Sequence, residues 1–290
     1  MMRKQVELPN GETISYQERP GGDEVVVLVH GNMTSSVHWD VVLERLSEEY
    51  KVYAPDLRGF GQSTYFEKVA GTQDFAEDLA MFLDEIGEES CMLVGWSLGG
   101  AVAQQFAVKY PNRCKALYFI ASASTRGYPF FKTGEDGMPD VAHHLNDLED
   151  VEKDTKTLMV NGAYETGNHA LLRQIWDAAI YVHNRPDEER YAKYLEDMTT
   201  QRNLAETYHV LNHHHVDVSG IEVPVWISWG EDDLVVTKQM TEELRADFGD
   251  TAAYQEFKQC GHSPLIDVPD ELVSSMERFF AKVKRQEESV

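Results

Sequence analysis

The stretch Gly95-Trp96-Ser97-Leu98-Gly99-Gly100 most narrows what this chain can fold into. It follows the apolar run Cys91-Met92-Leu93-Val94, so a buried strand is expected to turn sharply there into a helix. A turn that tight holds the serine in a strained backbone conformation and leaves no room for bulky neighbours, which accounts for the glycines. The Ser97 hydroxyl then stands above the sheet edge. The N–H of Leu98 lies at a helix N-terminus, where a developing negative charge is favoured. Glycine-rich strand-to-helix turns also serve packing alone, so the rest of the chain decides between the two readings.

The surrounding pattern is one of alternation. Residues 4–8 and 12–18 read as two strands about the turn Asn10-Gly11. Residues 24–30 are a nearly continuous apolar run with four valines, as in a strand buried on both faces. Further strands are expected over 51–54, 115–121, 223–229 and 253–258, and helices over 37–49, 74–86, 98–109, 237–248 and 269–284. Strand and helix in turn imply a parallel sheet with helices on both faces. The alternation stops after Ser124 and resumes at Val223. The expected organisation is a core of residues 1–125 and 216–290, interrupted by a helical lid over 126–215 without a clear buried strand. The tail after Lys284 is expected to fray.

A length of 290 residues suits one α/β domain with a sizeable insertion. The formal net charge of −24 would repel nucleic acid phosphates and anionic lipid, so neither is an expected partner. The acidic balance reads first as a well-solvated surface, with salt adaptation as the sharper alternative. Cys91, Cys114 and Cys260 are far apart and make neither a disulfide framework nor a zinc spacing. Reduced thiols, no apolar stretch after Met1-Met2-Arg3-Lys4 and no membrane-length run point to the cytoplasm.

A serine hydroxyl is a poor nucleophile until a base takes its proton, and the base needs a partner that fixes its tautomer. In a parallel sheet these groups project from the carboxyl ends of strands. Two later loops sit at such positions. Trp226-Ile227-Ser228-Trp229 runs into Gly230-Glu231-Asp232-Asp233, and Tyr254 to Phe257 runs into Gln259-Cys260-Gly261-His262-Ser263-Pro264. The chain order is therefore serine, acid, histidine.

With these loops the chain resembles the α/β-hydrolase-fold enzymes of the esterase, lactonase and C–C hydrolase branch. Five motifs match in order: His30-Gly31-Asn32, Asp56-Leu57-Arg58-Gly59-Phe60-Gly61-Gln62-Ser63, the turn at Ser97, Gly230 to Asp233, and Gly261-His262. They span nearly the whole chain except the insertion. The resemblance implies a mostly parallel eight-stranded sheet flanked by helices, with the lid inserted between strands 6 and 7. It implies Ser97 as nucleophile, His262 as general base and then acid, and Asp233 as the acid partner, counted from Gly230 by the pattern Gly-x-x-Asp. Asp232 and Glu231 are the rivals, otherwise solvated loop charges. The oxyanion would be held by the backbone N–H groups of Leu98 and Asn32. His30 would shape that loop, and Asp56 and Arg58 would pair locally beside it.

The loop His30 to Ser36 also resembles that of haloalkane dehalogenases. Those enzymes need an aspartate nucleophile, so a serine at 97 excludes dehalogenation and epoxide hydrolysis alike. The elbow Gly-Trp-Ser-x-Gly-Gly resembles the lipase-like box of some intracellular poly(3-hydroxybutyrate) depolymerases. Trp96 reads as packing beneath the elbow, with substrate contact as the alternative. Phe130 and Phe131, outside any periodic pattern, are expected as exposed apolar contacts for substrate. Leu171, Leu172, Ile175, Trp176 and Ile180 read as the lid's own core. His209, His213, His214, His215 and the pair His143-His144 lack accompanying ligands and read as surface or packing residues rather than a metal site.

The activity implied is that of a serine carboxylic-ester hydrolase, without metal or cofactor, acting on small or medium esters, lactones or hydroxyalkanoate oligomers. The alternatives are a C–C bond hydrolase or a cofactor-free perhydrolase using the same triad. From another class, the alternative is a non-catalytic ligand receptor on a hydrolase scaffold.

Overall fold

The computed structural model describes residues 2–287. The chain opens with the expected hairpin, β1 (Met2–Glu7) antiparallel to β2 (Thr13–Arg19). Gly11 in its turn takes the left-handed φ of +87°. There follow β3 (Glu24–Val29), a 3-10 turn over Ser36–Trp39, α1 (Asp40–Arg45), β4 (Tyr50–Pro55), α2 (Thr72–Glu85), β5 (Cys91–Trp96), α3 (Leu98–Lys109) and β6 (Cys114–Ile120). The insertion holds β7 (Phe131–Thr133), β8 (Pro139–His144), α4 (Leu148–Lys153), α5 (Thr155–Thr166), α6 (His169–Ala179), α7 (Glu188–Met198) and α8 (Leu204–Asn212). The core resumes with β9 (Val225–Gly230), α9 (Lys238–Phe248), β10 (Ala252–Phe257), α10 (Pro264–Asp267) and α11 (Pro269–Glu287).

Eight strands form one sheet in the order β1-β2-β4-β3-β5-β6-β9-β10. Only the β1–β2 and β2–β4 pairings are antiparallel; the other five are parallel. The valine-rich β3 lies inside the sheet and its side chains feed both faces, as a period of two requires. Val26 and Leu28 join one core with α1 and α11, through Val42, Leu272, Met276 and Phe280. Val25, Val27 and Val29 join the other with α2 and α3, through Phe75, Leu79, Val102 and Phe106. The parallel strands therefore end together, and the loops that follow them share one edge.

One local expectation is corrected, and two details are added. The helix expected over 37–49 is a 3-10 turn and a helix that stops at Arg45. The Arg19 guanidinium, reaching over from β2, takes the carbonyls of Leu43, Leu46, Ser47 and Tyr50 that would otherwise leave a helix end unsatisfied. The insertion also carries the β7–β8 hairpin, which has no apolar alternation because most of β8 is exposed. Finally, α11 continues past Lys284 to Glu287, and residues 288–290 lie outside the described residues.

The helices of the insertion are punctuated by polar caps. Asp154, Asn168 and Asp187 each accept a backbone N–H of the first turn, and α5 ends at Gly167 with φ +60°. Leu172 and Trp176 are buried in a core with Tyr181, Tyr191 and Tyr194, and Leu171, Ile175 and Ile180 pack partly buried against it. No helix among the described residues is long and apolar enough to cross a membrane.

Candidate active site

Ser97 sits between β5 and α3 with φ 55° and ψ −115°, outside the regions an ordinary residue favours. The strain is held by close backbone packing. A Cβ on Gly99 would lie 2.0 Å from the carbonyl oxygen of Val29, and one on Gly95 would lie 2.4 Å from that of Gly99. Neither neighbour can move aside, since both belong to the sheet and helix that frame the turn. The Ser97 N–H donates to the carbonyl of Ile120 at 3.0 Å, and its side chain is half-buried at the sheet edge.

The loop after β3 lies directly against the serine. A Cβ on Gly31 would be 3.3 Å from the Ser97 Cβ. His30 shapes this loop as expected. Its Nε2 accepts the Leu57 N–H at 2.9 Å, which leaves Nδ1–H to donate to the Gly31 carbonyl at 2.8 Å. Burial holds the His30 pKa below the usual histidine range. Leu98 is the first residue of α3, so its N–H has no acceptor within the helix. Among the described residues the Asn32 N–H likewise has no hydrogen-bond partner. Both candidate oxyanion donors are thus uncommitted.

The other half of the site stands after β9 and β10. His262 Nδ1 donates to Asp233 Oδ2 at 2.9 Å, and both side chains are buried. The second carboxylate oxygen of Asp233 accepts the N–H groups of Val235 and Val236 at 2.8 and 2.9 Å. The rival acids are engaged elsewhere. Asp232 meets His183 of the insertion at 2.8 Å, and Glu231 pairs with Lys258 and accepts the Gln259 N–H. The loops themselves are tied together, since Asp232 N–H donates to the Cys260 carbonyl and Gly261 N–H to Asp267. No hydrogen bond joins Ser97 to His262 among the described residues. Such bonds are often long in free enzymes and tighten in the substrate complex.

Trp96 links the two halves. Its indole N–H donates to the His262 carbonyl at 2.9 Å, and its ring lies 6.0 Å from the imidazole. At 2% exposure it offers a substrate no surface, which overturns the contact alternative and leaves the packing role. Phe130 is also corrected. It is 4% exposed and stacked on Tyr208 with ring centroids 4.6 Å apart, so it is not the open apolar wall expected. Phe131, half-buried on β7, lies against His144. Asp56 and Arg58 do not pair with each other. Asp56 binds Arg3 and the N–H groups of Ser36 and Gln62, while Arg58 is bidentate to Asp78. Both partners come from distant parts of the chain, so spacing could not indicate them.

The histidines of the insertion divide between packing and surface: His214 is buried, while His143, His144, His213 and His215 are exposed. His214 lies between Thr72 and Gln104, and the His209 and His213 rings lie tilted against each other with centroids 4.3 Å apart. Among the described residues no group of three or more His, Cys, Asp or Glu is arranged to hold a metal ion.

Sequence reasoning missed the residues that fasten the insertion to this edge. Ser35 donates to Asp197 at 2.6 Å, Arg202 N–H to the Gly59 carbonyl at 2.9 Å, Asn203 to the Arg58 carbonyl at 2.9 Å, and Gln201 to Asn32 at 2.8 Å. Their partners on the core lie more than a hundred positions away, and no local signal marks them.

Comparison with known proteins agrees with the fold. Residues 24–269 match the family model described as alpha/beta hydrolase fold. The chain is 26% identical over 275 residues to a pimeloyl-[acyl-carrier protein] methyl ester esterase of Aliivibrio salmonicida, covering 92% of this chain and 96% of that relative. A malate-bound thermophilic esterase from Thermogutta terrifontis superposes with a TM-score of 0.74 at 20% identity, over 98% of this chain and 99% of that one. An esterase from Exiguobacterium antarcticum superposes with a TM-score of 0.72 at 17% identity, over 98% and 100%. At these identities the two structures speak to the fold.

Proposed function

This chain belongs to the alpha/beta hydrolase fold family, and on that premise we propose that it is a serine hydrolase that cleaves carboxylic esters through an acyl-enzyme. The observation that carries the reading is the buried 2.9 Å pair of His262 and Asp233, on the same sheet edge as the strained Ser97. With Nδ1–H committed to Asp233, the Nε2 of His262 is the basic nitrogen. It takes the Ser97 proton as Oγ attacks the ester carbonyl. The negative charge that develops on the carbonyl oxygen is received by the N–H groups of Leu98 and Asn32. Losing one such donor costs about 3–4 kcal/mol of transition-state stabilisation in comparable sites. The imidazolium then gives its proton to the departing alkoxide. Water, deprotonated by the same nitrogen, releases the acid and restores Ser97.

The proposed substrates are small or medium esters, with lactones and hydroxyalkanoate oligomers as further members of the class. The relatives named as pimeloyl-[acyl-carrier protein] methyl ester esterases favour a small alcohol as leaving group. Short-alcohol esters of medium-chain acids are therefore the first to assay. Three buried, unbridged thiols fit a reducing compartment, and the cytoplasm is the proposed location.

The test is a panel of methyl and p-nitrophenyl esters of increasing acyl length, lactones and 3-hydroxybutyrate oligomers, run on the wild type and on Ser97→Ala. Turnover of one class by the wild type and none by the variant supports the reading. Equal turnover by Ser97→Ala contradicts it. A wild type that is inert to every class favours the ligand receptor.

A further inference from the structure

Gln201 lies between α7 and α8 of the insertion, is 6% exposed, and is more fully bonded than any neighbour of the oxyanion loop. Its Oε1 accepts the Met33 N–H at 3.2 Å and the Tyr164 hydroxyl at 3.3 Å. Its Nε2 donates to Asn32 Oδ1 at 2.8 Å and to Asn203 Oδ1 at 3.2 Å. The amide cannot be turned over without loss. The Met33 N–H demands an oxygen at one end. At the other, Asn203 gives its own amide N–H to the Arg58 carbonyl at 2.9 Å and so must present oxygen to Gln201.

The amide therefore grips two consecutive residues of the core, the Asn32 side chain and the Met33 main chain. Met33 itself holds φ +60°, a left-handed conformation that is unfavourable for a non-glycine residue and persists only where its surroundings impose it. The grip falls on Asn32 and Met33, and the strain on Met33, in the loop that lies against Ser97. We infer that Gln201 is a positioning residue of the oxyanion hole: by clamping the Asn32 side chain and the Met33 N–H, it aims the Asn32 N–H at the carbonyl oxygen of the substrate. This rests on the hydrolase reading above and adds to it that the insertion sets the catalytic geometry of the core. The neighbouring bonds of Asp197 to Ser35 and of Arg202 to Gly59 hold the same segment down on the core.

The test uses Gln201→Met, which keeps the side chain's volume and removes all four hydrogen bonds. Displacing rather than deleting an oxyanion donor is expected to lower kcat by roughly 10- to 100-fold. KM should stay within about threefold, because ground-state binding does not use the hole. A trifluoromethyl ketone, which adds to Ser97 and places an oxyanion in the hole, should lose affinity by the same factor as kcat. Asn32→Ala removes the clamp from its other end. It should reproduce the loss, and the double variant should be no worse than the more impaired single one. If Gln201→Met does not fold, Asn32→Ala carries the test alone. Folded variants with wild-type kcat and ketone affinity, or a defect confined to KM, would overturn the inference. Ser97→Ala separates the two readings. If it is inactive while Gln201→Met behaves as wild type, only the clamp is wrong; if it remains active, the hydrolase reading itself is wrong.

Discussion

The elbow at Ser97 and the junction between α7 and α8 bear on the same proposed oxyanion hole, by opposite means. At the elbow, backbone is held by backbone. Gly95 and Gly99 leave no space for a Cβ between the turn and its frame, and the constraint is written as glycine spacing. At the junction, loops are held by side-chain amides. Gln201 and Asn203 reach residues more than a hundred positions away, with no spacing to announce them. Constraints imposed by local chain geometry leave a motif, and those imposed by distant partners do not. The acid loop shows both kinds. Asp233 is counted out by Gly230, whereas the His183 partner of Asp232 is visible only in three dimensions.

The largest expected effect probes the motif side. Asp233→Asn should lower kcat about 10⁴-fold, because the amide favours the wrong imidazole tautomer. Asp232→Asn loses only a contact with the insertion and should stay within a few-fold of wild type. Steady-state assays of the two variants settle the order. A larger loss from Asp232→Asn would remove Asp233 from its role.

The next compares stability on the two sides. Gly99→Ala pushes a methyl against the Val29 carbonyl and should cost about 3 kcal/mol or more. Asn203→Ala leaves buried amide partners unpaired and should cost roughly 1–3 kcal/mol. Urea unfolding measures both. Tolerance of alanine at 99 would mean that the elbow is not locked by its frame.

The smallest effect concerns the insertion's far anchor. The Thr72 hydroxyl donates to His214 Nδ1, and Nε2–H donates to Gln104 Oε1, so the ring is held neutral. Burial pushes its pKa down from 6.5 to about 4. The unfolded chain therefore takes up a proton that the folded chain refuses. This contribution to stability is complete above pH 6.5 and is lost as the pH falls from 6.5 towards 4. Between pH 7 and pH 5 the loss should be about 2 kcal/mol. His214→Gln should abolish that component. Parallel urea curves for the two proteins at both pH values, showing equal acid sensitivity, would contradict it.

The same contrast explains what the sequence made legible. The alternation of strand and helix, the buried run of β3 and the serine, acid and histidine loops all follow from local pattern, and apart from the ends of α1 and α11 each core element lies within a residue or two of where the pattern puts it. The end of α1 depended on Arg19, a residue of another strand. The salt bridges of Asp56 and Arg58 depended on Arg3 and Asp78. Phe130 was hidden by Tyr208, which lies at the far end of the insertion. The β7–β8 hairpin is too exposed to need an apolar face.

The central claim is that Ser97, His262 and Asp233 act as one relay. The most direct measurement is peptide mapping of the adduct formed with a fluorophosphonate, with the labelling rate followed in wild type and in His262→Ala. A single adduct on Ser97, formed orders of magnitude more slowly without the imidazole, is the predicted result. Labelling at another residue, or at an undiminished rate in His262→Ala, would contradict it.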